Sequence, residues 1–178
     1  MQEPTSMPLP TEWGEPRSKS VTWHDPLVMA NAGAGLSGLE FLRALVDGSL
    51  PRPPIANLMG FRLCEVEFGR AVFECQPDES LYNPIGLVHG GLVCTLADSA
   101  AGCAVQSTLD AGVAYTSIDL NVVYLRPVTT TSGLLRATGQ IIKPGRRVAT
   151  AGAEVTDGSG KLVATATSSC LVMDNRGG

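Results

Sequence analysis

Beyond Met59, apolar residues recur mostly at every second position, and one long segment departs from that spacing. "GFRLCEVEFGRAVFECQP" reads as two strands joined by a tight turn at Gly69. In "HGGLVCTLADSAAGCAVQSTL" the spacing changes to three and four, with Leu92, Val93, Leu96, Ala100 and Ala104 on one face. That period predicts a buried helix running to about Leu109. Strand-like segments follow at 113–126, 133–143, 146–156 and 161–173, with Pro144-Gly145 and Asp157-Gly158 marking turns between the later ones. Two strands, one long helix and four strands predict an α+β fold, an antiparallel sheet covering one central helix.

Upstream the pattern is different. Residues 1–24 are rich in proline and polar residues and are expected to form a poorly ordered, flexible arm. Asp25 then offers an N-cap with Pro26 at the first helical position, and Gly33 and Gly35 end that short helix. Ser37 and Glu40 have capping-box spacing ahead of the apolar stripe Leu39, Leu42, Leu45 and Val46, which Gly48 stops. The closely spaced prolines of "LPRPPIA" predict extended chain. The expected organisation is an arm (1–24), an N-terminal helical extension (25–56), the sheet-and-helix domain (57–173) and a C-terminal tail (174–178).

Composition narrows the function classes. Of 178 residues, 44% are hydrophobic and only 17% charged, which suggests that some apolar surface is buried between subunits. The net charge is −4 with no basic run, which argues against a nucleic-acid partner. Five cysteines without a C-x-x-C pair fit a reduced, cytoplasmic setting. Two histidines far apart give no support to a metal site. The first residues lack a basic segment followed by an apolar run, so no signal peptide is expected. No stretch is long and apolar enough to span a membrane.

The chemistry concentrates in "NPIGLVHGGLVCTLADS", residues 83–99. The first N–H groups of a helix lack internal acceptors and attract negative charge, and Gly90 and Gly91 leave that backbone bare. Such an end is equipped to act as an oxyanion hole. Asp98 interrupts the same helix among Ala97, Ala100 and Ala101, where a carboxylate is costly to bury without a partner. It either reaches water through a cleft or serves a ligand. His89, taken singly, reads equally as a hydrogen-bonded structural residue at a helix start. His89 and Asp98 are nine residues apart, about 13–14 Å along a helix axis and about half a turn out of phase. One helix cannot bring them into contact, so a shared site requires two copies, as in a two-fold dimer with antiparallel helices.

The motif N-P-x-G-x-V-H-G-G-x-x-x-x-L-x-D-S-A, from Asn83 to Ala100, resembles the hotdog-fold acyl-CoA thioesterases of the PaaI type, associated with phenylacetate degradation. "SIDLNVVYLRPV" (117–128) is similar to the family's strand after the helix, and "GRRVATAGAEVTDGSGKLVATATSSC" to its closing hairpin. The resemblance covers about 57–173 and implies hydrolysis of an acyl-CoA thioester, aryl-acyl or short- to medium-chain, without a bound cofactor. It makes Asp98 the general base or nucleophile and the Gly90 N–H the donor that polarises the thioester carbonyl. Asn83 and His89 would place the thioester or the water, and Ser117 would assist near the acid. It also implies a homodimer with shared sites, commonly a dimer of dimers. Gly91 belongs to the same bared helix end.

Some positions stay open. Strict alternation sets Thr116 with Ile118, Leu120 and Val122, and Ser117 on the opposite face. The motif selects Ser117, periodicity permits Thr116, and a bulge would reconcile them. Arg126, Lys143, Arg146 and Arg147 read as solvated charge or as contacts to the coenzyme A phosphates. Phe61, Tyr82 and Tyr124 are core or pocket residues, and residues 25–56 are a candidate lid. A non-catalytic acyl-CoA-binding hotdog is the alternative from another class. A hotdog hydratase fits less well, because no acid closely precedes His89.

Overall fold

The computed structural model describes residues 13–174. Three short helices come first: α1 (Pro26–Gly33), α2 (Gly38–Asp47) and α3 (Pro54–Met59). Then follow β1 (Phe61–Glu67), β2 (Arg70–Cys75), the long helix α4 (Gly90–Gln106), β3 (Val113–Tyr124), β4 (Leu135–Lys143), β5 (Val148–Thr156) and β6 (Leu162–Asp174). Residues 1–12 of the expected arm and 175–178 of the expected tail lie outside the described residues. The rest of the arm carries two ion pairs to one loop, Arg17 with Glu79 and Lys19 with Asp78.

Local chemistry explains the N-terminal helices. Asp25 caps α1 by accepting the Leu27 N–H at 2.9 Å. Ser37 and Glu40 close the capping box of α2, and these hydrogen bonds from Ser37 hold the Glu40 carboxyl below its ordinary range. Gly48 ends α2 in the left-handed conformation, φ 83°. The expectation of extended chain through "LPRPPIA" is corrected, since Pro54 opens α3 with Pro53 at its cap. Proline at the first helical position loses only an N–H that has no helical acceptor anyway, so paired prolines can start a helix as well as forbid one.

The six strands form one antiparallel sheet in the order β1-β2-β4-β5-β6-β3. The sheet curls around α4 in the hotdog arrangement, and α4 touches every strand. The predicted core face of α4 (Leu92, Val93, Leu96, Ala100 and Ala104) is fully buried. The helix stops at Gln106, three residues short of the expected end. Thr108 and Leu109 continue only as single turns bonded to Val105 and Gln106. Among the described residues no helix is long and apolar enough to cross a membrane.

Glycine lets helix and sheet approach at Gly139 of β4. A Cβ there would lie 2.0 Å from the Ala100 carbonyl oxygen and 2.8 Å from the Ala101 nitrogen. Both are helix backbone and cannot move aside cheaply. Gly139→Ala is therefore expected to destabilise the fold by about 1–3 kcal/mol or more, read as a lower urea midpoint at unchanged slope.

Candidate active site

Asp98 lies just over two turns into α4 and is half-buried. Its Oδ1 accepts a hydrogen bond from the Ser117 hydroxyl at 3.2 Å. A bulge in β3 makes that contact possible. Ser117 pairs with Cys170 and Asp119 with the adjacent Ser169, so Ile118 is the extra residue. The bulge resolves the parity question in favour of Ser117. Tyr115 and Ser117 share the helix-facing side with Leu120, Val122 and Tyr124 beyond the bulge. Thr116 falls on the outward side, exposed, and is not brought to Asp98.

The head of α4 is organised by its own motif. Asn83 Oδ1 accepts the backbone N–H groups of Ile85 and Leu87, both at 3.1 Å, and so shapes the loop into the helix. His89 is the N-cap, and its Nδ1 accepts the Gly91 N–H at 2.8 Å. Accepting at Nδ1 leaves Nε2 as the proton-bearing nitrogen of the neutral ring. The Gly91 N–H is thereby occupied, which corrects its expected place as a free donor. The Gly90 N–H has no acceptor among the described residues. Tyr124 donates from its hydroxyl to the Gly90 carbonyl at 3.0 Å.

Two cavities open along this helix. One of about 310 Å³ adjoins Gly90 and is lined by Leu87, Tyr124, Arg126 and Val128. The other, about 250 Å³, adjoins Asp98, Tyr115 and Ser117 and is walled by Phe41, Leu42 and Phe61. Phe61, left open between core and pocket, is a buried core residue that also lines this cavity, and Tyr124 lines the other. Tyr82 instead pairs with Thr130 through its hydroxyl. Arg126 donates to the Leu162 carbonyl within reach of the Gly90 cavity. Arg146 lines a separate depression with Thr108 and Leu109, and Arg147 accepts the Val172 N–H. One protomer does not bring Arg146 and Arg147 to the head of α4, from which they are separated by roughly the helix's 25 Å length.

Two neighbours of Asp98 are held neutral. Burial pushes the Cys103 thiol up to about 12, and the Asp98 charge adds to it. Burial likewise holds the Tyr115 hydroxyl well above its ordinary value, with smaller contributions from nearby Cys103, Cys170 and Asp98. Cys103 is therefore no nucleophile at neutral pH, and Tyr115 is a hydrogen-bond donor. Sequence reasoning overlooked Tyr115, although alternation backward from Ser117 puts it on the same face.

The profile of the thioesterase superfamily matches residues 85–164, which span α4 and strands β3, β4 and β5. Human acyl-coenzyme A thioesterase 13 is 31% identical over 97 residues, 54% of this chain and 68% of that protein. A crystal structure of a phenylacetic acid degradation-related protein from Ralstonia eutropha JMP134 superposes with a TM-score of 0.66 at 30% identity. The match covers 73% of this chain and 98% of that one. The E. coli PaaI protein, at 23% identity and a TM-score of 0.67 over 78% of this chain and 96% of that one, shares the fold. Matched over two thirds of a relative's length and nearly all of a solved structure's, the chain belongs to the thioesterase superfamily.

Proposed function

We propose that the protein hydrolyses acyl-CoA thioesters, of aryl-acyl or short- to medium-chain acids, at a site completed by two subunits. The observation that carries this reading is the Asp98 carboxylate, half-buried, bonded by Ser117 and open to an apolar cavity. Ser117 occupies one carboxylate oxygen, and Oδ2 has no partner among the described residues. In the base form of the mechanism, Oδ2 takes a proton from water as the water oxygen attacks the thioester carbon. The carbonyl oxygen becomes an oxyanion held by the Gly90 N–H. Collapse breaks the C–S bond, and the proton on Asp98 passes to the departing thiolate. In the nucleophile form, Asp98 attacks the carbon itself, the C–S bond breaks to release the thiolate, which is protonated from solvent, and water then cleaves the resulting anhydride to free acid and Asp98. The chemistry calls for no further cofactor, coenzyme A being part of the substrate.

Gly90 and Asp98 lie eight residues apart on one rigid helix, about 12 Å along its axis. That exceeds the reach of a single reacting carbonyl, so the oxyanion donor belongs to a second copy. The sheet supports such a copy. β3 is an edge strand of twelve residues, and a long unpaired edge is a liability unless something covers it. Ile118 is 56% exposed and Tyr124 52%, and Leu125 beyond them is exposed too. Antiparallel pairing of two β3 edges about a two-fold axis covers these residues and sets the two α4 helices side by side. Each Asp98 then approaches the partner helix's N-terminus. Two such dimers would make the commonly implied tetramer. His89 and Asn83 shape the N-terminus that binds the carbonyl, and the presence of Arg126 on the wall of the Gly90 cavity supports a role for it in meeting coenzyme A phosphate.

Release of free thiol from phenylacetyl-, benzoyl-, hexanoyl- and decanoyl-CoA tests the reaction class. Thiol release above the uncatalysed rate, with kcat on the order of 1–10³ s⁻¹ for the preferred substrate, is expected. Tight binding of these thioesters without release would establish the acyl-CoA-binding alternative in its place.

A further inference from the structure

The head of α4 is approached by a loop whose outer half has no hold on the core. Its turn, Glu79–Leu81, is one short 3₁₀ turn without a buried residue. Leu81 and Tyr82 pack against the core behind it, and the Tyr82 hydroxyl accepts the Thr130 N–H at 2.9 Å. Asp78 and Glu79 are left at the surface. The turn is tied directly to the helix. The Leu81 carbonyl accepts the His89 N–H at 2.8 Å, and Tyr82 bridges to Val88. His89 in turn caps α4 through the Gly91 N–H. A shift of the turn is therefore carried through two hydrogen bonds to the first turn of α4.

The outer half of this loop is held by the N-terminal arm. Arg17 pairs with Glu79, and Lys19 with Asp78 at 2.6 Å. Lys19 also donates to the Ser80 hydroxyl at 3.4 Å. Asp78 is shared between arm and turn: its Oδ1 accepts the Ser80 N–H at 2.8 Å and starts the turn, while Oδ2 takes Lys19. The Lys19 contact, and then those of Ser80, hold the Asp78 carboxyl below its ordinary range. Farther along the arm, the Thr22 carbonyl accepts a hydrogen bond from Asn57 Nδ2 of α3 at 2.9 Å. The arm thus runs between two fixed points, the loop and α3. No residue from 13 to 24 is buried, so polar contacts and not apolar packing attach it. One exposed ion pair does little by itself. Two pairs on one loop, beside a pinned carbonyl, reinforce each other, because each keeps the partners of the next close by. Arm and loop both lie upstream of residue 85, where the family match begins.

Resting on the thioester-hydrolase reading, we infer that residues 17–22 brace the head of α4, with Arg17 and Lys19 as positioning residues. They act through the loop and touch no reacting atom. By fixing Asp78 and Glu79 they keep the Leu81 carbonyl on the His89 N–H, and so keep the Gly90 N–H where a carbonyl oxyanion needs it. Misplacing such a donor weakens a contact made chiefly in the transition state, so the loss falls on kcat and not on KM.

The test uses two variants of the full chain. In the first, Arg17→Glu with Lys19→Glu, both attractions become repulsions. In the second, Arg17→Glu with Glu79→Arg, one pair is exchanged and its attraction restored. For each, kcat and KM are measured on the best of the four thioesters above, alongside hydrogen exchange of the backbone amides from 81 to 91. The reversed arm should speed exchange of those amides and lower kcat, each by about fivefold or more, as expected when two exposed pairs turn repulsive. Its KM should stay within twofold, and exchange in β4, β5 and β6 should not change. The exchanged pair should match the unsubstituted protein within twofold throughout. High salt, which screens exposed charges, should bring the kcat of the unsubstituted protein toward that of the reversed arm. Exchange within twofold of the original in the reversed arm would overturn the brace. Faster exchange at unchanged kcat would do the same, as would a loss of kcat that the exchanged pair shares. If the unsubstituted protein cleaves no thioester, the hydrolase reading falls by itself. The brace is then judged by exchange alone, which must quicken in the reversed arm and not in the exchanged pair.

Discussion

Asp98→Asn is expected to lower kcat by about 10²–10⁴-fold, the usual contribution of a positioned general base, while KM and fold stay close to the original. The substitution is nearly isosteric and keeps an oxygen that can accept from Ser117, so the helix, the bulge in β3 and the apolar cavity are all retained. What it removes is the capacity to take a proton or to form an anhydride. Turnover within threefold of the original would remove Asp98 from the chemistry altogether. The two forms of the mechanism separate in a single turnover in ¹⁸O-labelled water. A general base sends the label straight into the released acid. A nucleophile whose anhydride water opens at the Asp98 carbon releases unlabelled acid first and leaves the label on the Asp98 side chain, where mass spectrometry of the peptide finds it.

The same residues show how far the sequence could be read. The central helix was legible because its apolar positions repeat at one period over more than four turns. The capping box of α2 was legible because it needs only two residues at fixed spacing. Asp98 stood out for a physical reason, an acid among alanines on a buried helix, and it lies half-buried there. What escaped depended on contacts between distant segments. The bulge at Ile118 is set by pairing with β6, so strand parity alone left Thr116 and Ser117 undecided. Pro53 and Pro54 are compatible with both extended chain and a helix start, and the choice is made where α3 packs beneath β1. The cavity wall was hidden because it depends on Gly38 meeting the backbone of Gln106, nearly seventy residues away. Gly91 was misread for a subtler reason. Its N–H is bare by composition, but the side chain of His89, two residues earlier, reaches back to cap it.

Gly90→Pro is the sharpest way to ask whether the helix end completes a neighbour's site. Proline has no N–H, so the substitution deletes the proposed oxyanion donor and little else. Position 90 is the first residue of α4, where proline's fixed φ fits the helix and no helical hydrogen bond is lost. His89 already has the extended conformation that a following proline demands, φ −61° and ψ 133°. The added Cβ meets only the exposed Tyr124 side chain, at 3.2 Å, which can give by a few tenths of an ångström. A fall in kcat of about 10²–10³-fold is expected, as for loss of one oxyanion-hole donor. Mixing then decides where the donor comes from. When Gly90→Pro and Asp98→Asn chains are co-expressed equally, half of the dimers are mixed. If each site takes Asp98 from one subunit and Gly90 from the other, every mixed dimer regains one intact site of two. Activity should then recover to about a quarter of the original. If both groups act within one chain, every site carries a lesion, and the mixture stays as inactive as the average of its parents. Because each variant is nearly dead alone, recovery to a quarter stands far above background and can arise only from a site built by two chains.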